Sequence, residues 1–198
     1  MAIKVVDLRK AMRDLDDRTA KFYAALEGED DLGVVLRAHI YIEHELKLYV
    51  SEVAPKPDQI KFSSYDYNSL IALALMLGLP SDLKAALTSI GNLCNKFAHT
   101  LEMELTTQEA NALYNTLSPN MNVNMQQGHA SCLKNPKYGD ANLPKSVARL
   151  NPKMLFGVCA TFIRGAIMLQ TLEAYVRTLG LKDELQRVKA KMRTESPN

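Results

Sequence analysis

The chain has 198 residues, 47% of them hydrophobic and 23% charged, with a formal net charge of +2. That length suits one domain with a sizeable core, and no apolar run approaches the roughly 20 residues that span a bilayer. Cys94, Cys132 and Cys159 are odd in number and widely separated, which excludes a disulfide framework or a zinc-ligand pattern and fits a reducing compartment.

The first ten residues mix Lys4, Asp7, Arg9 and Lys10 with Val and Leu. They contain no apolar core of a signal peptide, so a cytoplasmic protein without membrane contact is expected. The charge is unevenly divided. Residues 1–118 carry 12 Lys and Arg against 17 Asp and Glu, a net of −5; residues 119–198 carry 12 against 5, a net of +7. The basic half either meets nucleic acid or complements the acidic half of the same or a neighbouring subunit. No arginine-rich run or aromatic interleaving sharpens the first reading.

Helical periodicity dominates. Leu8, Leu15 and Phe22 recur every seven residues, with Met12 and Leu26 beside them, and predict an amphipathic helix from about Val5 to Leu26. So regular a stripe suits packing within the chain or against a second copy, and a homodimer is expected. A second helix is predicted from about Leu32 to Val53, ended by Pro55 and Pro57, with Leu36, His39, Ile42, Leu46, Tyr49 and Val53 on one face. The third, from about Asp66 to Leu77, is apolar nearly all round and is expected to be central, with Gly78 just past its end.

Pro80-Ser81-Asp82 opens the fourth helix, with Ser81 as the expected N-cap. Its core face runs through Leu83, Leu87, Ile90, Leu93 or Cys94, and Phe97. Thr106-Thr-Gln-Glu109 fits a capping box for a fifth helix reaching Leu117. Residues 118–150 show no clear period and are expected to form a long irregular loop, functional or incidental. Asn151-Pro152 opens a long helix to about Leu179. Beyond Gly180 a charged amphipathic segment, Lys182 to Arg193, completes the C-terminal helices over residues 151–194. No segment alternates like a half-buried strand, so the expected fold class is all-α: a single-domain multi-helix bundle with one long irregular loop.

The order of motifs is distinctive. Arg37-Ala-His-Ile-Tyr-Ile-Glu-His-Glu-Leu46 leads to Phe62-Ser-Ser-Tyr65, then Ile71-Ala-Leu-Ala-Leu-Met-Leu-Gly-Leu79, then Leu93-Cys-Asn-Lys-Phe-Ala-His99. Over roughly residues 30–105 this resembles the mannitol operon repressor (MltR) family, within the wider HEPN-like all-helical group. The resemblance implies transcriptional repression without an evident DNA-reading module. It also points to the ribonucleases of the wider group, whose Arg-Asn-x-x-x-His motif cleaves RNA without a metal, often across a dimer.

Carried onto this chain, that motif places its Asn at Asn95 and its His at His99, while Cys94 replaces the Arg. An arginine brings a permanent charge and a planar fork of donors to a phosphate. A thiol brings neither, so the charge that builds up during cleavage loses its stabiliser. Asn95 and His99 are four residues apart and share a helix face, expected to be the otherwise buried one. They either satisfy each other and a helix end or form a site. His39 and Glu43 are a second such pair, able to orient an imidazole or to bond locally. No third closely spaced ligand makes them a metal site, and no cofactor is expected. Cys132, beside Ser131 and His129, lacks an orienting group. Phosphate-binding glycine loops, Gly-x-Ser-x-Gly and His-Glu-x-x-His are all missing. The resulting expectation is a repressor-type regulator acting through protein contacts. Ribonuclease activity, catalytically degenerate RNA binding and a purely structural interaction module are the alternatives.

Overall fold

Two long helices meet at the centre of the molecule, α2 (Asp31–Val53) and α7 (Pro152–Leu179), which share its most extensive packing. Around them lie α1 (Ala2–Leu26), α3 (Tyr67–Met76), α4 (Lys84–Ala98), α5 (Thr107–Asn115) and α6 (Pro119–Lys134). This computed structural model describes residues 2–100, 104–134 and 143–180, with side chains from residue 10 onward. Among them there are seven α-helices, a few single 3-10 turns and no strand, as expected of an all-α bundle. The segment from Lys182 to Arg193 and the Leu8 side chain lie outside the described residues.

Local signals set the helix ends. Asp30 accepts a hydrogen bond from the Gly33 amide at 2.7 Å to cap α2, and Asp66 does the same for Ser69 at the start of α3. The capping box of α5 is complete. Thr106 Oγ1 accepts from the Glu109 amide at 3.2 Å, and Glu109 Oε2 accepts from the Thr106 amide at 2.9 Å. Asn151 caps α7 through the Met154 amide, and Gly180 ends it at φ 70°, a left-handed turn that suits glycine. At α4 the expectation fails. Ser81–Leu83 form a 3-10 turn, and the Ser81 side chain makes no capping bond.

α1 and α2 are joined by a short turn and run antiparallel. Phe22 faces Tyr41 and Arg18 reaches Glu45, one turn further along both helices. The α1 stripe is therefore used inside the chain. Phe22 is fully buried, and Met12 packs with Leu172 and Val176 of α7. On α2 the expected Ile42, Leu46 and Tyr49 are buried, but Leu36, His39 and Val53 are only half-buried, while Val34, Val35, Ala38 and Val50 are sealed. A helix with neighbours on several sides buries a wider arc than one stripe predicts.

α3 corrects another expectation. Leu70, Ile71 and Ala74 are buried against α2 and α4, yet Met76 is 84% exposed and Ala72 faces solvent. It is a flanking helix with an apolar outer side, not a central one. α7 takes the central place. It is long and apolar enough by composition to span a bilayer, but half of that stretch is buried inside the bundle. Arg164 in its middle is held by an ion pair with Glu45, so its hydropathy is that of a core helix.

The described part of residues 118–150 is not one irregular loop. Pro119–Lys134 form α6, which buries Met121, Met125 and His129 at spacings of four. The stripe is narrow and includes a histidine, and the alternating Asn120, Asn122 and Asn124 favour helices weakly. Gln126 holds the returning chain: its Oε1 accepts from the Val147 amide at 2.9 Å and its Nε2 donates to the Lys145 carbonyl at 2.7 Å. His129 Nε2 lies 2.9 Å from the Pro144 carbonyl.

Candidate functional site

α4 buries Ala86, Leu87, Ile90, Gly91, Leu93 and Phe97. Asn95 and His99 stand five and nine residues beyond Ile90, which places them on the opposite side of the helix at 3.6 residues per turn. Both are exposed. The expectation that they lie on the buried face is therefore wrong: they share a face, but it is the solvent face. No hydrogen bond joins them among the described residues, and His99 ends the helix as its C-cap. The same outer face carries a shallow depression of about 520 Å³ lined by Ser81, Lys84, Ala85, Thr88, Ser89 and Asn92. Lys96 is turned aside and donates to Glu109 Oε1 at 2.6 Å, tying α4 to α5.

Cys94 faces the other way. Four residues after Ile90, it is half-buried, and burial followed by the Glu43 charge pushes its thiol up. Glu43 and His39 come from α2 to the same junction, around Tyr67 of α3. The His39 and Tyr67 rings lie 4.2 Å apart at 45°. Tyr67 packs closely onto α4 because residue 91 is glycine; a Cβ there would meet Tyr67 Cδ1 at 2.8 Å. The Tyr67 hydroxyl is buried without a partner, and burial, then Glu43, then Cys94 push it well above its ordinary range. Glu43 pairs with Lys47 at 2.6 Å. The supporting pair thus gathers around Tyr67 and Cys94, not around His99.

This junction is not primed for chemistry. Nucleophilic attack needs a thiolate, and the local field keeps Cys94 protonated. With iodoacetamide at neutral pH, exposed Cys132 is expected to react first and half-buried Cys94 more slowly. Buried Cys159, pushed up to about 12, reacts only on unfolding. Mass spectrometry of a labelling time course reads this order.

Burial lowers His39 below its ordinary 6.5, and Glu43 partly opposes it. The unfolded chain therefore binds a proton more readily than the folded one. The stability His39 contributes is complete above pH 6.5 and is lost as pH falls from there through the folded-state value. Urea midpoints should fall between about pH 7.5 and about pH 5.5, and fall less in His39→Gln. An equal fall in both would remove His39 as the cause.

The strongest polar cluster is one that sequence reasoning missed. Glu45 is fully buried, with its Oε1 accepting from Arg164 Nη2 at 2.6 Å and its Oε2 from Arg18 Nη1 at 2.6 Å. Arg164 is 2% exposed; its Cζ lies 4.9 Å from the Phe22 ring centre and 5.8 Å from that of Tyr41. Its Nε has no partner. The signal was present: Glu45 sits among Ile42, Leu46 and Tyr49, and Arg164 is a lone charge between Phe162-Ile163 and Ala166-Ile-Met-Leu169. The triad also meets part of the charge asymmetry inside the chain, since basic Arg164 answers acidic Glu45. Lys153 donates to the Glu29 backbone carbonyl, a tie between the two halves that pairs no charges.

Beside the triad, α1, α2 and α7 enclose an open groove of about 630 Å³ that includes Arg18 and Glu52. No group of three or more His, Cys, Asp or Glu able to hold a metal ion occurs among the described residues. Comparison with protein families, with curated proteins and with solved structures finds no match to this chain.

Proposed function

We propose that the chain is a cytoplasmic, repressor-type regulator resembling the mannitol operon repressors. In this reading it works through protein contact on the outer face of α4 and not by cleaving RNA. The observation that carries the reading is the composition of that face. Ser81, Asn92, Asn95 and His99 are exposed on it, with half-buried Thr88 and Ser89 and the charged Lys84 between them, so it is a polar face of mostly short side chains. Cys94, where the ribonuclease pattern needs an arginine, points inward instead. Short polar side chains present donors and acceptors at little cost in side-chain entropy. A second copy of the chain is the simplest occupant.

The test substitutes within the face. Asn92→Arg is expected to abolish regulation of the target genes while leaving the circular dichroism and melting temperature unchanged. Size measurement of wild type against Asn92→Arg distinguishes a second copy from a different protein. The reading fails if deleting the gene changes no transcript, or if Asn92→Arg regulates normally. The exposure of both Asn95 and His99 favours one alternative, an RNA-directed activity. Cleavage by wild type but not by His99→Ala would establish it; equal background in both would end it.

A further inference from the structure

The groove between α1, α2 and α7 has an apolar floor of Leu15, Leu48 and Leu172. Its rim mixes both signs, with Lys10, Asp14 and Arg18 on α1 and Glu52 on α2. Lys10 to Arg18 and His44 to Glu52 each span eight helical residues, about 12 Å at 1.5 Å per residue. Lys153 meets Glu29 and Arg164 meets Glu45, so α7 runs parallel to α2 and passes Glu52 near its own Thr171. Leu172 and Leu179 share an apolar cluster with Ala11, which also lines the groove. The last described residue, Gly180, therefore lies beyond the Lys10–Glu52 end, five residues after Tyr175 of the groove wall. Gly180 stands at φ 70°, and the residue after a left-handed glycine commonly packs back onto the last turns of the helix it ends.

The sequence beyond Gly180 suits that path. Leu181, Leu185, Val188 and Met192 fall at i, i+4, i+7 and i+11, one face of a helix, with Asp183, Gln186 and Arg187 on the other. Leu181 to Val188 covers seven residues, about 10 Å, which fits within the groove. Charge agrees as well. Residues 181–192 carry four Lys and Arg against two acids, while Lys10 and Arg18 are outnumbered by Asp14, Glu52 and the Glu45 behind them. We propose that residues 181–192 of this chain occupy the groove as an amphipathic helix, with Leu181, Leu185 and Val188 against Leu15, Leu48 and Leu172. Attachment selects this occupant. A segment joined at the groove's end is present at an effective concentration on the order of millimolar, so modest contacts hold it where a free helix in solution would need strong ones. Anchoring at i, i+4 and i+7 is the way an amphipathic helix fills an apolar groove.

The chain contains no tryptophan, so an indole introduced by Leu185→Trp reports alone. In the full chain its emission is expected to be blue-shifted, and its quenching by acrylamide severalfold weaker than for a free indole, at every protein concentration. Adding Val188→Asp on the same face should return both to solvent values, and so should Leu48→Asp in the groove. Ala190→Asp, on the far face, should change neither. Circular dichroism and melting curves check that Leu48→Asp keeps the fold; Val188→Asp alters no described residue and carries the test alone if Leu48→Asp unfolds. Solvent-like emission from Leu185→Trp would overturn the proposal. So would protection that survives Val188→Asp, or protection that fades on dilution, which would place the segment on a second copy.

Discussion

Glu45→Ala is expected to destabilise the protein by about 3–5 kcal/mol, the largest loss for any polar substitution in the chain. Removing the carboxylate leaves Arg164, 2% exposed, without its counter-charge and beside the Arg18 guanidinium. Two cations then face each other, and only Arg18, a quarter exposed, keeps contact with water. The damage is the orphaned charge rather than the lost attraction, because desolvating a buried pair cancels much of its Coulombic gain. Replacing all three charges at once, Arg18→Met with Glu45→Leu and Arg164→Met, is therefore expected to restore most of the loss. Urea unfolding monitored by circular dichroism measures both. A Glu45→Ala loss below about 1 kcal/mol would show that the triad is solvated in the native state.

Phe22→Ala is expected to cost about 3–5 kcal/mol, the usual range for emptying a fully buried aromatic site. Phe22 is the deepest anchor of α1. It meets Tyr41 edge-on at 5.3 Å between ring centres and covers the Arg164 guanidinium. Its loss opens a path for water to the triad, so the two sites should not be additive. A double-mutant cycle between Phe22→Ala and Glu45→Ala should give a coupling of about 0.5–3 kcal/mol. α1 is joined to α2 through Glu27-Gly28-Glu29-Asp30, so Phe22→Ala should also speed proteolysis at that turn before global unfolding. Unchanged cleavage there would mean that α1 is held mainly by Met12, Leu172 and Val176.

Helix ends were the most legible part of the fold. Thr106 with Glu109, Asn151 with Pro152, and Gly180 act within a few residues of themselves, and all appear in the structure in those roles. Ser81 did not, because a 3-10 turn moved the start of α4 past it. α6 was hidden for a different reason. Its buried face is two methionines and a histidine, and polarity elsewhere on it outweighs that stripe. The candidate site was half legible. Spacing put Asn95 and His99 on one face, and the same wheel, counted from Ile90, turns that face to solvent. His39 and Glu43 reach one junction, but Glu43 pairs with Lys47 and the company of the two is Tyr67 and Cys94.

By itself the sequence determined an all-helical chain and most helix boundaries, since caps, breakers and 3.6-residue periodicity are local properties. Only the tertiary structure decided which helix is central, because burial depends on how many neighbours surround a helix and not on its own composition. It alone paired Glu45 with Arg164, 119 residues apart. No local rule links residues so distant, and the pairing exists only because α2 and α7 cross at that level. It also settled the direction of α4, turning Cys94 inward and setting Asn95 and His99 in the open.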